Sequence, residues 1–190
     1  MLTAAPKNIH IYLESNPNPN SLKFVVNEVL IPTGMSFDFD SPEKTADAPL
    51  AQELFMYPFV ERVFYASNFI TVTKKPDVEW MEIQNILKDH IMQFLESGKL
   101  ILDAKTPDVE SGEETESVKK IKSILDEYIR PAVEQDGGAI SFHSFTDGIL
   151  KVALQGSCSG CPSSTITLKA GIENLFKNMM PEVKAVEALG

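Results

Sequence analysis

Residues 103–117 read DAKTPDVESGEETES. One bulky apolar residue, Val109, stands there among six carboxylates, Pro107 and Gly112. A segment this poor in apolar side chains cannot bury enough surface to offset the entropy lost on ordering it. Structureless loops of that length are also uncommon inside a single domain. It is therefore expected to be a flexible acidic linker. The chain then divides into a first domain over 1–102, the linker over 103–117 and a second domain over 118–190. Each domain is short enough to hold one core.

The formal net charge of −10 argues against nucleic acid as a partner, because phosphate binding needs clustered Lys and Arg. No apolar run is long enough to span a bilayer, so no membrane partner is expected. The start, MLTAAPKNIHIYLE, has neither the apolar core of a signal peptide nor the Arg-rich amphipathic character of a transit peptide. Two cysteines, Cys158 and Cys161, fit a compartment that keeps thiols reduced. The expectation is a cytoplasmic protein, and a processed organelle form would carry the same signature.

In the first domain, NIHIYLE and SLKFVVN read as strands flanking the Asn-Pro-rich turn Ser15–Asn20. MSFDFDS alternates like a short strand, and APLAQELFMY reads as a helix. VERVFYAS and FITVTKK form a hairpin about Asn68. The strongest helix follows, with Asp77 as candidate N-cap and Trp80, Ile83, Leu87, Ile91, Phe94 and Leu95 on one stripe. Gly98 marks its end.

In the second domain, Val118, Ile121, Ile124, Leu125, Tyr128 and Ile129 recur at helical spacing. Pro131 is expected to kink or tighten the last turns, and Gly137–Gly138 to end them. A hairpin turning at Asp147–Gly148 follows, then the cysteine loop. A second helix runs from about Pro162 to Met180, burying Ile166, Ile172, Leu175, Phe176 and Met179, and PEVKAVEAL closes the chain as a third strand. The fold class expected is α+β, two small domains, the second of order α-β-β-α-β.

The chemistry concentrates in GSCSGCPSSTITLKAG, Gly156–Gly171. Pro is favoured at the first position of a helix, so both thiols precede a helix N-terminus, where the dipole stabilises a thiolate. The small Gly and Ser neighbours admit another molecule, and neither thiol is expected to anchor a core. A thioredoxin-like dithiol, and hence a thiol–disulfide oxidoreductase, needs a preceding βαβ unit and more sheet afterwards, which a hairpin and 29 remaining residues do not supply. Zinc and iron–sulfur clusters both take four ligands. The histidines complete neither. His10 lies in the other domain, His90 reads as a satisfied boundary residue, and His143 is on a hairpin strand. For either metal two chains must each contribute Cys158 and Cys161 at a symmetric interface, a homodimer. A zinc-bridged structural dimer and a shared cluster both satisfy that count.

IRPAVEQDGGAISF, Ile129–Phe142, followed by VALQGSCSGCPSSTITLKAGIENLF, Val152–Phe176, resembles the NifU C-terminal-like domain of the Nfu family of iron–sulfur cluster carriers. ESNPNPNSLKFVVN, Glu14–Asn27, and FITVTKKPDVEW, Phe69–Trp80, resemble the N-terminal domain of the longer members. The resemblance implies that Cys158 and Cys161 ligate a 4Fe-4S cluster bridging two subunits. It implies receipt from an upstream donor, delivery to apo iron–sulfur proteins by ligand exchange, and no catalysis. It also implies that Asp136, Gly137 and Gly138 form a structural turn. The three-cysteine scaffold domain of nitrogen-fixation NifU has no counterpart here, so a carrier is expected rather than a site of de novo assembly. The first domain, without cysteine, is expected to recognise a client or donor.

Overall fold

The computed structural model describes residues 8–103, 115–159 and 162–189, with side chains from residue 166 in the last run. Residues 104–114, most of the expected linker, lie outside them. At its margins Asp103 N donates to Asp47 O at 2.8 Å, and Thr115 is already the N-cap of a helix. The chain forms two α+β units.

The first unit is an antiparallel sheet carrying two helices. Its elements are β1 Ile11–Ser15, β2 Ser21–Val26, β3 Ser36–Phe39, α1 Pro49–Phe55, β4 Val60–Ala66, β5 Phe69–Lys74 and α2 Trp80–Glu96. Spatial order is β1-β2-β5-β4-β3. Period-2 alternation sends Leu22, Phe24 and Val26 of β2 and Ile70 and Val72 of β5 into one core with Leu50 and Leu54 of α1. The stripe of α2 enters the same core through Ile83, Leu87, Ile91, Phe94 and Leu95.

The start of α2 differs from the expectation. Its N-cap is Glu79, which makes no side-chain cap bond, and Asp77 lies upstream. Lacking a cap costs about 1 kcal/mol, whereas each buried Leu, Ile or Phe contributes about 1.5–3 kcal/mol. Packing therefore sets the helix despite its weak beginning. The indole N–H of Trp80 donates to Pro19 O at 3.0 Å, which ties the helix start to the end of the Asn-Pro turn.

The second unit holds α3 Glu116–Ile124, a π turn Leu125–Ile129, α4 Arg130–Gln135, β6 Gly138–Thr146, β7 Ile149–Gly156, α5 Pro162–Met179 and β8 Ala185–Leu189. Thr115 caps α3, its Oγ1 accepting from Val118 N at 3.3 Å. β6 and β7 form the expected hairpin, with positive φ at Asp147 (55°) and Gly148 (84°), as a tight turn between twisted strands demands. β8 returns parallel to β7 after the crossover through α5. The predicted order of helix, strand, strand, loop, helix and strand is what forms.

Pro131 widens the helix before it rather than tightening it. Proline has no N–H to give to a carbonyl one turn back, and its ring crowds that carbonyl. The chain answers with the five-residue π turn, where Arg130 N donates to Leu125 O. The extra residue rotates the stripe, so the buried series runs Ile121, Leu125, Ile129, Val133 and Tyr128 turns out, 48% exposed. Ile166 and Met179 also face outward, and Met180 takes the buried position expected of Met179. Among the described residues no helix is long and apolar enough to cross a membrane.

Candidate functional site

Three short pieces of backbone build the site: the turn Asp136–Gly138 after α4, the end of β7 at Gly156, and Ser157–Ser159 leading toward α5. Gly137 (φ 78°) and Gly156 (φ 66°) both take the left-handed conformation that admits glycine without strain. Gly138 pairs with Gly156 at the end of the β6–β7 ladder away from the hairpin turn. The two segments are bonded to one another. Ser157 N donates to Gly137 O at 3.3 Å, the Ser157 hydroxyl donates to Asp136 O, and Ser159 N donates to Gly156 O at 3.1 Å.

This seat determines where Cys158 lies. Its side chain is 3% exposed and belongs to the hydrophobic core of the second unit, with Ile140, Leu154, Ile172 and Phe176. That overturns the expectation that neither thiol anchors a core. The sulfur rests against the backbone at Gly138, where a Cβ would come within 2.9 Å of it and within 2.6 Å of Gln155 O. Gly138 is thus a residue of the site, since its missing side chain is the space the thiol fills. The sequence signal was present in the Gly-Gly pair, read there as a turn alone. Ser157, which sequence reasoning treated only as a small neighbour, is buried and holds the loop to that turn.

Cys161 lies outside the described residues. The helix that follows it opens at Pro162, at the first helical position as expected. Further along α5 the Glu173 carboxyl is held below the usual carboxylate range, first by a hydrogen bond from Lys177 and then by the N–H of Val186, which connects the helix to β8.

The histidines stay away from the thiols' chemistry. His90 is held on both ring nitrogens, Nδ1 by the Tyr57 hydroxyl at 2.9 Å and Nε2 by Glu53 at 2.8 Å, as a satisfied boundary residue should be. His143 is exposed at the irregularity between Phe142 and Ser144 of β6. Among the described residues no group of three or more His, Cys, Asp or Glu is placed to hold a metal ion. The Gly138 cradle does fit a sulfur ligand, and the thiols number two per chain.

Fold and site together define a protein of two small α+β units, the second of which seats Cys158 against the Gly138 turn in the segment leading to a helix. A family model described as "Scaffold protein Nfu/NifU N terminal" matches residues 11–98, and one described as "NifU-like domain" matches residues 121–187. The human protein named "NFU1 iron-sulfur cluster scaffold homolog, mitochondrial" is 42% identical over 180 residues, 93% of this chain and 70% of that protein. The protein of the same name from Drosophila ananassae is 40% identical over 184 residues, 95% of this chain and 64% of that protein. A solution NMR structure titled as a NifU-like protein from Saccharomyces cerevisiae covers 55% of this chain and 96% of that one, with a TM-score of 0.48 at 23% identity. The chain belongs to the Nfu/NifU scaffold family. It spans about two thirds of the length of these named relatives.

Proposed function

We propose that this protein is an iron–sulfur cluster carrier in which Cys158 and Cys161 of two chains bind one 4Fe-4S cluster as cargo and pass it to apo-proteins. The observation that carries the reading is the thiol seat at Gly138: a two-cysteine loop built around a sulfur, with half the ligands a cluster needs. The second domain, 118–190, is the cluster-binding part. The first, 1–102, recognises a client or donor, and 103–117 links them. The named relatives are cluster scaffolds called mitochondrial. The chemistry itself asks only for a compartment that keeps thiols reduced.

Transfer is ligand exchange. Four iron–thiolate bonds to the carrier pair break as four form to the acceptor, the departing thiolates take up the protons that the acceptor's thiols release, and the cluster keeps its oxidation state. The cluster's own iron–sulfide bonds are kept throughout and only its thiolate ligands change, so the protein acts as a carrier and not as an enzyme. Because Cys158 is buried, exchange requires the Gly156–Ser159 loop to turn outward, and the positive-φ glycines Gly137 and Gly156 stand at the base of the segment that would move.

Anaerobic reconstitution of the full chain with ferrous iron, sulfide and a thiol reductant tests this. A brown dimer with about four irons per pair of chains is expected from thiolate ligation. A colourless zinc-bound dimer, or an iron-free monomer that reduces disulfides, would sink the reading.

A further inference from the structure

Ser157 and Cys158 are both buried, 2% and 3% exposed. The Ser157 Oγ stands 3.9 Å from the Cys158 Sγ, within reach of a hydrogen bond to sulfur, and its hydroxyl donates to Asp136 O. A serine hydroxyl has one hydrogen and two lone pairs. With that hydrogen on Asp136 O, the oxygen can only accept from the sulfur. The metal-free chain therefore runs from Cys158 S–H to Ser157 Oγ, and from Ser157 O–H to Asp136 O, each bond polarising the next. A sulfur that holds iron is a thiolate and has no hydrogen to give. The same contact then survives only in reverse, with the Ser157 hydroxyl donating to the sulfur and its bond to Asp136 O given up. Turning the O–H about the Cβ–Oγ bond accomplishes this with no heavy atom displaced.

We propose that Ser157 is a positioning residue for the cluster ligand, its hydroxyl serving Asp136 O in the empty chain and the Cys158 sulfur in the loaded one. This rests on the carrier reading and deepens it, by naming what keeps the hold on the cargo reversible. Donation to a thiolate is charge-assisted, and it draws off electron density that the sulfur would otherwise give to iron. Hydrogen bonds to the sulfurs are among the levers that set a cluster's reduction potential. Cys158 thus holds iron more loosely than a bare thiolate would, which suits a protein that must let its cluster go. One of the two ties between the loop and the Asp136–Gly138 turn is also undone while the cluster is bound. When the cluster leaves, the sulfur takes up a proton and donates to Ser157 Oγ again, and the hydroxyl returns to Asp136 O. The emptied loop fastens itself over the thiol, the closed arrangement in which Cys158 is found.

Two measurements on the full-length chain test this, one of them without iron. In metal-free Cys161→Ser chain the only thiol is that of Cys158, and donation to Ser157 Oγ lowers its S–H stretching frequency in the infrared. Adding Ser157→Ala should shift the band upward, whereas Ser157→Thr, which keeps the hydroxyl, should leave it near its place. In the loaded chain with both cysteines, Ser157→Ala should lower the cluster's reduction potential and slow the release of iron to a ferrous chelator, while the same variant quickens alkylation of the metal-free thiol. A residue that merely fastened the loop would leave the potential alone and, once removed, speed both reactions. An S–H band that alanine does not move, or alanine and threonine variants that behave alike, would overturn the proposal. So would an unchanged potential with quicker release. A wild-type chain that takes up no cluster would overturn the carrier reading instead, and the infrared band, read without iron, tells the two failures apart.

Discussion

Gly138 and Cys158 compete for one volume: a Cβ on residue 138 would stand 2.9 Å from the Cys158 sulfur and 2.6 Å from the Gln155 carbonyl oxygen. Both distances are shorter than side-chain carbons tolerate, and one of the obstacles is backbone. Gly138→Ala must therefore displace the sulfur, the strand end, or both. Overpacking of this kind costs about 1–3 kcal/mol. The expected result is a lower urea midpoint together with reduced iron uptake on reconstitution. Gly171→Ala, made in the same domain where space is open, should show no such loss of stability. Equal behaviour of the two variants would refute the steric account.

Changing either cysteine to serine should cost the cluster, and changing Cys158 should cost stability as well. Both substitutions remove a cluster ligand, so both should abolish iron binding. Cys158 is moreover part of the core of the second unit, and there a hydroxyl would replace a thiol among Ile140, Leu154 and Phe176. The hydroxyl is smaller and more polar than the thiol, so it fills the seat at Gly138 less well and its burial costs more, about 1–3 kcal/mol in all. In a domain this small about 1 kcal/mol shifts the melting temperature by ~4–8 °C. Cys158→Ser is expected to melt several degrees below wild type in the absence of metal. Thermal scans showing no difference would mean that the thiol is not part of the packing.

Ser157 acts as the fastening of this loop, through its hydroxyl to Asp136 O and its N–H to Gly137 O. A thiol that is 3% exposed reacts only when its surroundings open. Alkylation of Cys158 by iodoacetamide, followed residue by residue by mass spectrometry, should therefore run on the order of tenfold or more slower in the folded chain than in urea. Ser157→Ala removes one of the two ties and should speed it without unfolding the domain. A rate in the native protein equal to that in urea would show the loop already open.

Much of this fold was legible from pattern alone. The Asp147–Gly148 hairpin, the α2 stripe and the helix start at Pro162 each follow from strong local chemistry, and each formed. The failures share a cause: one residue's setting was decided by a neighbour that periodicity does not represent. Tyr128 fits a 3.6-residue stripe, but the π turn forced by Pro131 rotates it into solvent. Cys158 lies in a run of small residues with no period at all, so nothing local marks it as buried. Its place is fixed by pairing of Gly138 with Gly156 across the sheet. Asp77 is a good cap by type, but core packing of Ile83 and Leu87 starts the helix three residues later. At the site, residue types gave the ligand chemistry, while the seat that holds one ligand needed three dimensions.

Away from the thiols, the first unit contains a brace whose contribution should depend on pH. Glu53 on α1 accepts from His90 of α2 at 2.8 Å and from Lys99 beyond the end of α2 at 3.2 Å. His90 is held in turn by the hydroxyl of Tyr57, whose ring stacks on Phe59. Partial desolvation pushes the Glu53 carboxyl up, but the bonds from His90 and Lys99 outweigh it and hold the group below its ordinary 4.5. Between the lowered folded value and 4.5 the unfolded chain binds a proton that the folded chain does not. The contribution is therefore complete above the unfolded value and is lost as pH falls through the folded one. The carboxylate is about one third exposed, so the pair ranks with surface ion pairs, at or below about 1 kcal/mol. Glu53→Gln should lower the urea midpoint slightly at neutral pH and lose less than wild type between about pH 5 and pH 3, where carboxylates titrate. Other acidic groups contribute to the same fall, so the quantity to compare is the difference between the two midpoint-against-pH curves. If the curves stay parallel through that range, Glu53 does not carry the effect, and the brace holds through Tyr57 and His90 alone.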